Sequence, residues 1–322
     1  MDENAKLEGM GKRQFIVAEH LFEVVAEESI LELMGNYEPF RVTAAKTEAA
    51  ATETTDDSSA LLFTLTVEEG EALPYIEETR QDEEGQVIVC GHTGMHEPVF
   101  EFVWSDKTAG WLVCTKDYKE GRLILSGHLP KAALDNALMV LFAMSSAVLD
   151  TALFHSAVVS LDGKGYMFLG KSGTGKSTHA RLWRSHIEGT ELMNDDNPAV
   201  RIRPDGTAMV YGTPWSGKTP CYRNVSSPVG AIVQLSQAPY NKIRRLSGIE
   251  AYAAVMPSIS GKRWDKAIAD GLHNTENALA SHVPVWHLEC LPDEAAARLC
   301  KDTVARTTSS GDTTTGPGNT EA

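Results

Sequence analysis

One stretch of the chain combines the residue types that bind phosphate: Gly170-Lys171-Ser172-Gly173-Thr174-Gly175-Lys176-Ser177. It fits the pattern G, four residues, G-K-[ST], which is typical of a phosphate-binding loop between a strand and a helix. The apolar residues 165–169 come before it, and a run without Gly or Pro follows it. The context therefore predicts strand, loop and helix. A glycine-rich turn before an ordinary helix would explain the glycines but not Lys176 and Ser177.

The chemistry of such a loop comes from its backbone. Glycines let the chain curl tightly, so that successive N–H groups point inward and bind an anion, and the following helix adds its positive N-terminal end. Lys176 would reach the β- and γ-phosphates of a nucleotide, and the Ser177 hydroxyl would ligate Mg²⁺. The sequence predicts ATP and Mg²⁺ as cofactors, with nucleotide contacts from Gly170, Lys171, Ser172, Gly173, Thr174, Gly175, Lys176, Ser177 and Thr178.

A pair of carboxylates, Asp195 and Asp196, ends a short segment downstream of the loop. One carboxylate could hold the metal directly or through water, and the other could take the proton of an acceptor hydroxyl. Asn-Asp-Asp-Asn-Pro is also a good turn sequence, but its position after a phosphate loop favours function. We expect this strand to run beside the strand that precedes the loop, with the two carboxylates pointing to opposite sides.

Residues 212–218 form a second candidate loop. They contain two glycines, two hydroxyl side chains and Lys218. This composition fits an anion-facing loop and fits an ordinary hairpin loop equally well. His155 precedes the phosphate loop on a predicted strand; a single histidine of this kind is, on its own, more often structural than catalytic.

Composition limits the class of protein. The 322 residues carry a net charge of -15, which disfavours nucleic acid as a partner because a phosphate backbone needs a basic face. The five cysteines form no C-x-x-C pair, which is typical of reduced thiols. The first residues lack the features of a signal peptide, and no uninterrupted apolar run approaches membrane-spanning length. These features predict a cytoplasmic protein without a membrane partner.

Short apolar segments separated by turn residues fill the first 127 residues and predict a mainly antiparallel β domain without catalytic residues. We expect this domain to bind the acceptor or a partner. Residues 44–59 are expected to form an exposed loop. The predicted strands begin or lie at residues 15–18, 30–34, 61–67, 86–90, 99–104, 110–114 and 122–126.

Residues 128–306 predict an α/β domain, followed by a disordered tail at 307–322. A long apolar helix is expected at 130–153. Next come a hairpin with its turn at Asp162-Gly163-Lys164-Gly165, the phosphate loop and the aspartates. The remaining expected elements are a hairpin at 199–211, strands at 228–235 and 283–288, and helices at 250–256, 264–282 and 292–304.

The motifs at residues 154–304 resemble the catalytic domain of HPr kinase/phosphorylase, in which a His-Gly strand, a turn, a phosphate loop and an Asp-Asp pair follow one another. That family's fold is similar to the nucleotide-binding part of phosphoenolpyruvate carboxykinases, so the resemblance implies a P-loop α/β fold of this type. His155 takes the place of the family's histidine. Ser156 replaces the family's glycine, and the segment Met209-Val210-Tyr211-Gly212 lacks the family's Mg²⁺-binding glutamate.

The resemblance implies roles for individual residues. Lys176 would contact phosphates, Ser177 would bind Mg²⁺ and Asp196 would take the acceptor's proton, which leaves Asp195 for the metal and adds His155 to the catalytic set. HPr kinases are hexamers, so the chain is expected to be able to form homo-oligomers. The first half does not resemble the family's regulatory domain, so the acceptor need not be the HPr phosphocarrier.

These observations predict an ATP-dependent kinase that transfers the γ-phosphate to a hydroxyl of a protein, peptide or small molecule, most simply a serine. A phosphoenolpyruvate carboxykinase-like enzyme is the first alternative, although the chain is short for that family and has no convincing oxaloacetate-binding set. A nucleotide-sensing module without turnover is the second.

Overall fold

The computed structural model describes residues 9–43, 60–83, 85–217 and 219–307. The predicted loop at 44–59 and nearly all of the predicted tail lie outside the described residues. The described chain forms two β-sheets with helices, which is an α/β structure. Eight strands form the first sheet, in the order β1-β2-β3-β8-β7-β6-β5-β4. They are β1 Gly11–Val17, β2 His20–Ala26, β3 Phe63–Glu69, β4 Ile76–Glu83, β5 Gln86–His92, β6 Pro98–Trp104, β7 Lys107–Cys114 and β8 Glu120–Leu125.

The first sheet is mainly antiparallel, as the turn spacing predicts, with parallel pairing only where β3 joins β2 and β8. The prediction of a strand at residues 30–34 is wrong. A short helix, α1 Glu28–Leu31, and a 3₁₀ helix, Gly35–Phe40, occupy this segment. Its buried side chains recur every third residue, a helical spacing, at Leu31, Met34, Tyr37 and Phe40.

A long helix, α2 Pro130–Ser146, follows the first sheet and packs against β7 and β8. The predicted helix is too long: Asp150 adopts φ 52°, a left-handed conformation that stops it, and strand β9 Thr151–Leu153 follows. By length and a mean hydropathy of 1.7, the stretch Pro130–Leu149 could cross a membrane, yet 67% of its most apolar window is buried inside the protein. We conclude that α2 is a core helix.

The second sheet has nine strands and carries the predicted phosphate-binding loop, residues 170–177, hereafter called the phosphate loop. Its main path is β12-β10-β11-β15-β14-β13-β9, and β17 joins β15 to β16. The strands are β10 Ser156–Leu161, β11 Lys164–Leu169, β12 Glu191–Asp196, β13 Ala199–Ile202, β14 Ala208–Tyr211, β15 Ser226–Gln237, β16 Lys242–Leu246 and β17 Val285–Cys290. The helices are α3 Lys176–His186, α4 Ile249–Val255, α5 Lys266–His282 and α6 Glu294–Thr307, which confirms the three predicted C-terminal helices within three residues at each end.

The order of strands corrects one expectation. The aspartate strand β12 does not run beside the loop strand β11, because β10 lies between them and pairs with both. The predicted turn of the β10–β11 hairpin is confirmed at Asp162 and Gly163, whose φ of 51° and 73° are the left-handed pair of a tight hairpin turn, whereas Lys164 and Gly165 already belong to β11. Since Ser156 pairs with Leu169 on one side and Asp196 on the other, the loop and the aspartates still meet at one sheet edge.

One of the two apolar clusters of the described residues crosses from the first half of the chain to the second. It joins first-sheet side chains such as Phe22 to helix side chains such as Phe142 and to Trp215 of the second half. Polar contacts also cross: Glu19 at the β1–β2 turn accepts hydrogen bonds from Arg201 at 3.2 Å and from the Tyr211 hydroxyl at 2.8 Å. The division of the chain near residue 127 therefore stays a prediction about folding units, and the two halves pack tightly.

Candidate functional site

The phosphate loop begins where β11 ends and runs into the first turn of α3. Gly170 has φ 150°, and a Cβ at this position would lie 2.6 Å from Thr174 Oγ1, so only glycine fits. Gly175 precedes the helix with φ 104°. The sequence pattern thus produces the strand–loop–helix geometry that it predicts, and three exposed residues form the tip of the loop: Lys171, Ser172 and Gly173.

Bonds within the loop hold its lysine. The Lys176 ammonium donates to the carbonyl oxygen of Gly170 at 2.9 Å and approaches that of Lys171 at 3.4 Å. The Thr174 hydroxyl donates to the same Lys171 oxygen. Lys176 is 8% exposed, so its ammonium group lies within the loop and does not extend into solvent. Phosphate oxygens could replace these carbonyls as its partners.

A buried histidine supports the helix that follows the loop. His179 is 3% exposed, its ring packs edge-on against Phe168, and the indole N–H of Trp183 donates to its Nε2 at 3.1 Å. Burial lowers the pKa of His179 to about 4, so the ring is neutral near pH 7. Because Nε2 accepts, the proton of this neutral ring is on Nδ1. Thr178, beside it in the first helical turn, is half-buried.

Asp195 and Ser177 form the first pair of polar groups at the sheet edge. The Ser177 hydroxyl donates to Asp195 Oδ1 at 2.7 Å, and the carboxylate belongs to a residue that is 5% exposed. A hydroxyl and a carboxylate are oxygen ligands that suit Mg²⁺, which also keeps waters and substrate phosphate oxygens in its shell. Among the described residues, no three His, Cys, Asp or Glu side chains cluster as a metal site. Ser177 and Asp195 alone would supply two oxygen ligands to such an ion.

Asp196 and His155 form the second pair. Their Oδ1 and Nδ1 atoms are 3.1 Å apart, and both side chains are about a third exposed, 33% and 35%. Asn197 donates to the other carboxylate oxygen at 2.9 Å. The His155 N–H donates to the carbonyl of Ser258 at 2.6 Å, which fixes the backbone of the histidine. The two neighbouring carboxylates thus have different partners: Asp195 faces Ser177 of the phosphate loop, and Asp196 faces His155.

The segment at residues 212–217, hereafter the flanking loop, lies directly against both aspartates. The Gly217 N–H donates to the Asp195 carbonyl at 2.7 Å, and Ser216 forms an isolated β-bridge with Asp196. A Cβ on Gly217 would lie 3.1 Å from the Cβ of Asp196, so a side chain there would crowd the carboxylate. Lys218, whose charge suggested an anion contact, lies outside the described residues.

A buried amide, which sequence reasoning passed over, anchors the flanking loop from within. Asn194 is fully buried and donates to Thr213 Oγ1 at 3.1 Å and to the Trp215 carbonyl at 3.2 Å. Its own Oδ1 accepts from the Asn197 N–H at 3.0 Å. The Asn-Asp-Asp-Asn run drew attention to its carboxylates, but the first Asn is what ties the aspartate strand to the loop.

The chain was compared with protein families, curated proteins and solved structures. No protein-family model matches the sequence, and no curated protein matches it. Among solved structures, the chain is similar to the HPr(Ser) kinase/phosphatase from Coxiella burnetii, with 12% sequence identity and a TM-score of 0.29. The alignment covers 49% of this chain and 95% of that one. Values this low indicate a distant structural relation only.

Proposed function

We propose that this protein is an ATP-dependent phosphotransferase that moves the γ-phosphoryl group of Mg²⁺-ATP to a hydroxyl, in the manner of an HPr-kinase-like serine kinase. The acceptor would be a protein, a peptide or a small molecule. We also propose that residues 128–306 have the P-loop fold of HPr kinases and phosphoenolpyruvate carboxykinases. The order of hairpin, phosphate loop and paired aspartates supports this assignment.

One observation carries the functional proposal. At a single sheet edge, the chain has a phosphate loop, a Ser–Asp pair for a metal and a separate Asp–His pair. A nucleotide-sensing module would need the first two groups. The third group is a partly exposed carboxylate that pairs with His155 and not with Ser177, which is what an acceptor hydroxyl needs and what nucleotide binding does not use.

Each residue has a distinct task in this proposal. The loop N–H groups and Lys176 bind the β- and γ-phosphates and orient the γ-phosphoryl group. Ser177 and Asp195 would hold Mg²⁺, which, when bound, neutralises charge on the phosphates. Asp196 accepts the proton of the attacking hydroxyl, while His155 and Asn197 hold its two carboxylate oxygens in a fixed direction.

The cellular setting follows from weaker observations. The acidic net charge of -15 supports partners other than nucleic acid, and the burial of α2 supports a protein without a membrane span in that segment. A cytoplasmic location and a homo-oligomeric state remain proposals from the sequence.

The direct test is phosphoryl transfer from γ-³²P-ATP by the purified full-length chain. With Mg²⁺ and a cell extract or a panel of hydroxyl compounds, we expect one or a few acceptors to gain label on a hydroxyl oxygen. Lys176→Ala, treated identically, should label none of them. If the wild-type chain binds Mg²⁺-ATP but neither labels an acceptor nor hydrolyses ATP across a broad screen, the kinase proposal is wrong and a nucleotide sensor is the better assignment.

A further inference from the structure

The flanking loop controls the backbone of the proposed base. Asp196 has φ 144°, a conformation that side-chain-bearing residues rarely adopt and that persists only where the surroundings enforce it. Its β-bridge to Ser216 and the Gly217 N–H bond to the preceding carbonyl are the enforcing contacts on the open side of the strand. Any movement of the flanking loop would therefore redirect the Asp196 carboxylate.

The other face of the flanking loop touches the first half of the chain. Trp215 is 4% exposed, and its indole N–H donates to the Tyr37 hydroxyl at 3.0 Å. The two rings meet edge to face, with centroids 6.4 Å apart at 82°. Tyr37 is fully buried, and burial, together with the nearby Asp135 carboxylate, raises its pKa well above the usual value. Its hydroxyl therefore stays neutral and can keep accepting from the indole.

A second contact joins the residues that precede Tyr37 and Trp215 in the sequence. Asn36 donates through Nδ2 to the Pro214 carbonyl at 3.0 Å. The amide is itself held by helix α2: Lys131 donates to its Oδ1 at 2.7 Å, and Asn36 Nδ2 also donates to Asp135 at 3.2 Å. The 3₁₀ helix Gly35–Phe40 is thus fixed to α2, and the flanking loop is fixed to the 3₁₀ helix.

We propose that Tyr37 and Asn36 are positioning residues for phosphoryl transfer, acting through Trp215 and Pro214 to hold the flanking loop, and with it Asp196, in the orientation that receives the acceptor's proton. This inference rests on the proposed function and deepens it, because it gives the first half of the chain a part in the transfer step. The hydrogen bonds that hold the phosphate loop come from Lys176 and Thr174 within it and from Gln237 of the second half, so we expect nucleotide binding not to depend on these residues.

The test uses Tyr37→Phe in the full-length chain, because phenylalanine keeps the ring and removes only the hydroxyl. We expect ATP affinity to stay within about twofold and single-turnover transfer at saturating ATP to fall about tenfold, as misplacement of a reacting group predicts. Tyr118→Phe is the matched control: this tyrosine is also buried in the first half, and its hydroxyl has no hydrogen-bond partner among the described residues. Its transfer rate should match that of the wild type.

Two further measurements separate positioning from general destabilisation. Hydrogen–deuterium exchange at the amides of residues 215–217 should be faster in Tyr37→Phe than in Tyr118→Phe. In a double-mutant cycle, Tyr37→Phe should have little further effect in a Trp215→Phe background, because the same hydrogen bond is already absent. Asn36→Ala should lower the transfer rate in the same direction.

The outcomes are distinct. Unchanged transfer and unchanged exchange in Tyr37→Phe would overturn the inference and leave the kinase proposal standing. Equal losses of ATP affinity and transfer would also overturn it, because the residue would then support the whole domain. If the wild-type chain transfers no phosphate to any acceptor, the proposed function fails, and the exchange measurement alone decides whether Tyr37 positions the loop.

Discussion

The phosphate loop and the flanking loop meet at one sheet edge but are held in different ways. The phosphate loop is closed by its own atoms: Lys176 and Thr174 bond to carbonyls of residues 170 and 171, and Gln237 of the adjoining strand adds a contact at 3.1 Å. The flanking loop depends on residues far away in sequence, namely Asn194 beneath it and Tyr37 beyond it. The phosphate loop is thus stabilised mainly by its own residues, whereas the flanking loop is stabilised by other segments of the chain.

This difference suggests a division of labour. A loop that is fixed mainly by its own glycines and lysine should keep its shape when distant segments of the chain change. A loop that is fixed from two distant segments is sensitive to both of them. We therefore expect nucleotide binding to depend on local residues, and phosphoryl transfer to depend on the packing of the two halves.

The largest expected effect separates the two aspartates. Asp196→Asn keeps the shape of the side chain but cannot take a proton, so transfer should fall by roughly 10²–10⁴-fold while ATP affinity stays unchanged. Asp195→Asn, which changes the side chain facing Ser177, should instead raise the Mg²⁺ concentration needed for half-maximal transfer. Single-turnover transfer to the identified acceptor, with ATP affinity measured in parallel, checks both.

Asp162→Asn is the matched control for these variants, because Asp162 lies in the hairpin turn at the opposite end of β10 and asparagine tolerates its left-handed conformation. It should behave as the wild type does. Unchanged transfer in Asp196→Asn would rule out the base role and would remove the reason for treating the flanking loop as part of a catalytic site.

The next effect concerns the phosphate loop alone. Lys176→Ala removes a charge-assisted contact to the phosphates and should weaken Mg²⁺-ATP binding by about 1.5–3 kcal/mol. Calorimetric titration of the full-length chain measures this change. Lys164→Ala, at the far end of the same strand, offers a matched loss of charge and should bind ATP as the wild type does. ATP affinity that is the same in all three chains would contradict the assignment of the loop.

The last expected effect concerns His179, the buried histidine in the helix that follows the phosphate loop, and the pH dependence of the free energy of unfolding. The folded pKa of His179, about 4, is below the usual value near 6.5. Between these values the unfolded state binds a proton that the folded state does not, so the free energy of unfolding falls as the pH falls. The loss from this residue should reach about 2 kcal/mol by pH 5. Urea unfolding at pH 7.5 and pH 5 measures it.

His179→Gln is the informative variant, since the glutamine oxygen can still accept from Trp183 but does not titrate. The stability of this variant should depend less steeply on pH below 6.5. The remaining slope should come partly from His20, whose pKa burial also lowers to about 4. An unchanged pH dependence in His179→Gln would mean that the imidazole beneath the loop is accessible to protons in the folded state.

Sequence reasoning correctly predicts the strand, loop and helix around residues 170–177, because the glycines, the apolar strand and the helix start that determine them are local. The same holds for the Asp162-Gly163 turn and for helices whose apolar residues repeat regularly. It missed strand β4, Ile76–Glu83, and strand β16, Lys242–Leu246, because edge strands rich in exposed charged side chains lack the apolar alternation that identifies a strand. They form strands because their backbone groups hydrogen-bond to a neighbouring strand, β5 for β4 and β17 for β16.

The same argument explains what was missed at the site. The pairing of Ser177 with Asp195 joins the loop to the first of the predicted carboxylates. The insertion of β10 between the loop strand and the aspartate strand is a fact of topology that no local pattern contains. The anchors of the flanking loop, Asn194 and Tyr37, reach it only after both sheets have formed, so neither spacing nor composition could assign them to it.

During ribosomal synthesis, helix α2 is made before some of the residues that pack against it in the folded protein. The strands β7 and β8 are already made when the helix emerges, and they can shield one face at once. Phe142 can pack at once against Phe22, but it must wait for Trp215, whose ring lies 5.2 Å away in the finished protein. At roughly 5–20 residues per second, this wait lasts several seconds. Nascent chains that stall in this interval would present an apolar helix of membrane-spanning length to chaperones, to lipid and to one another.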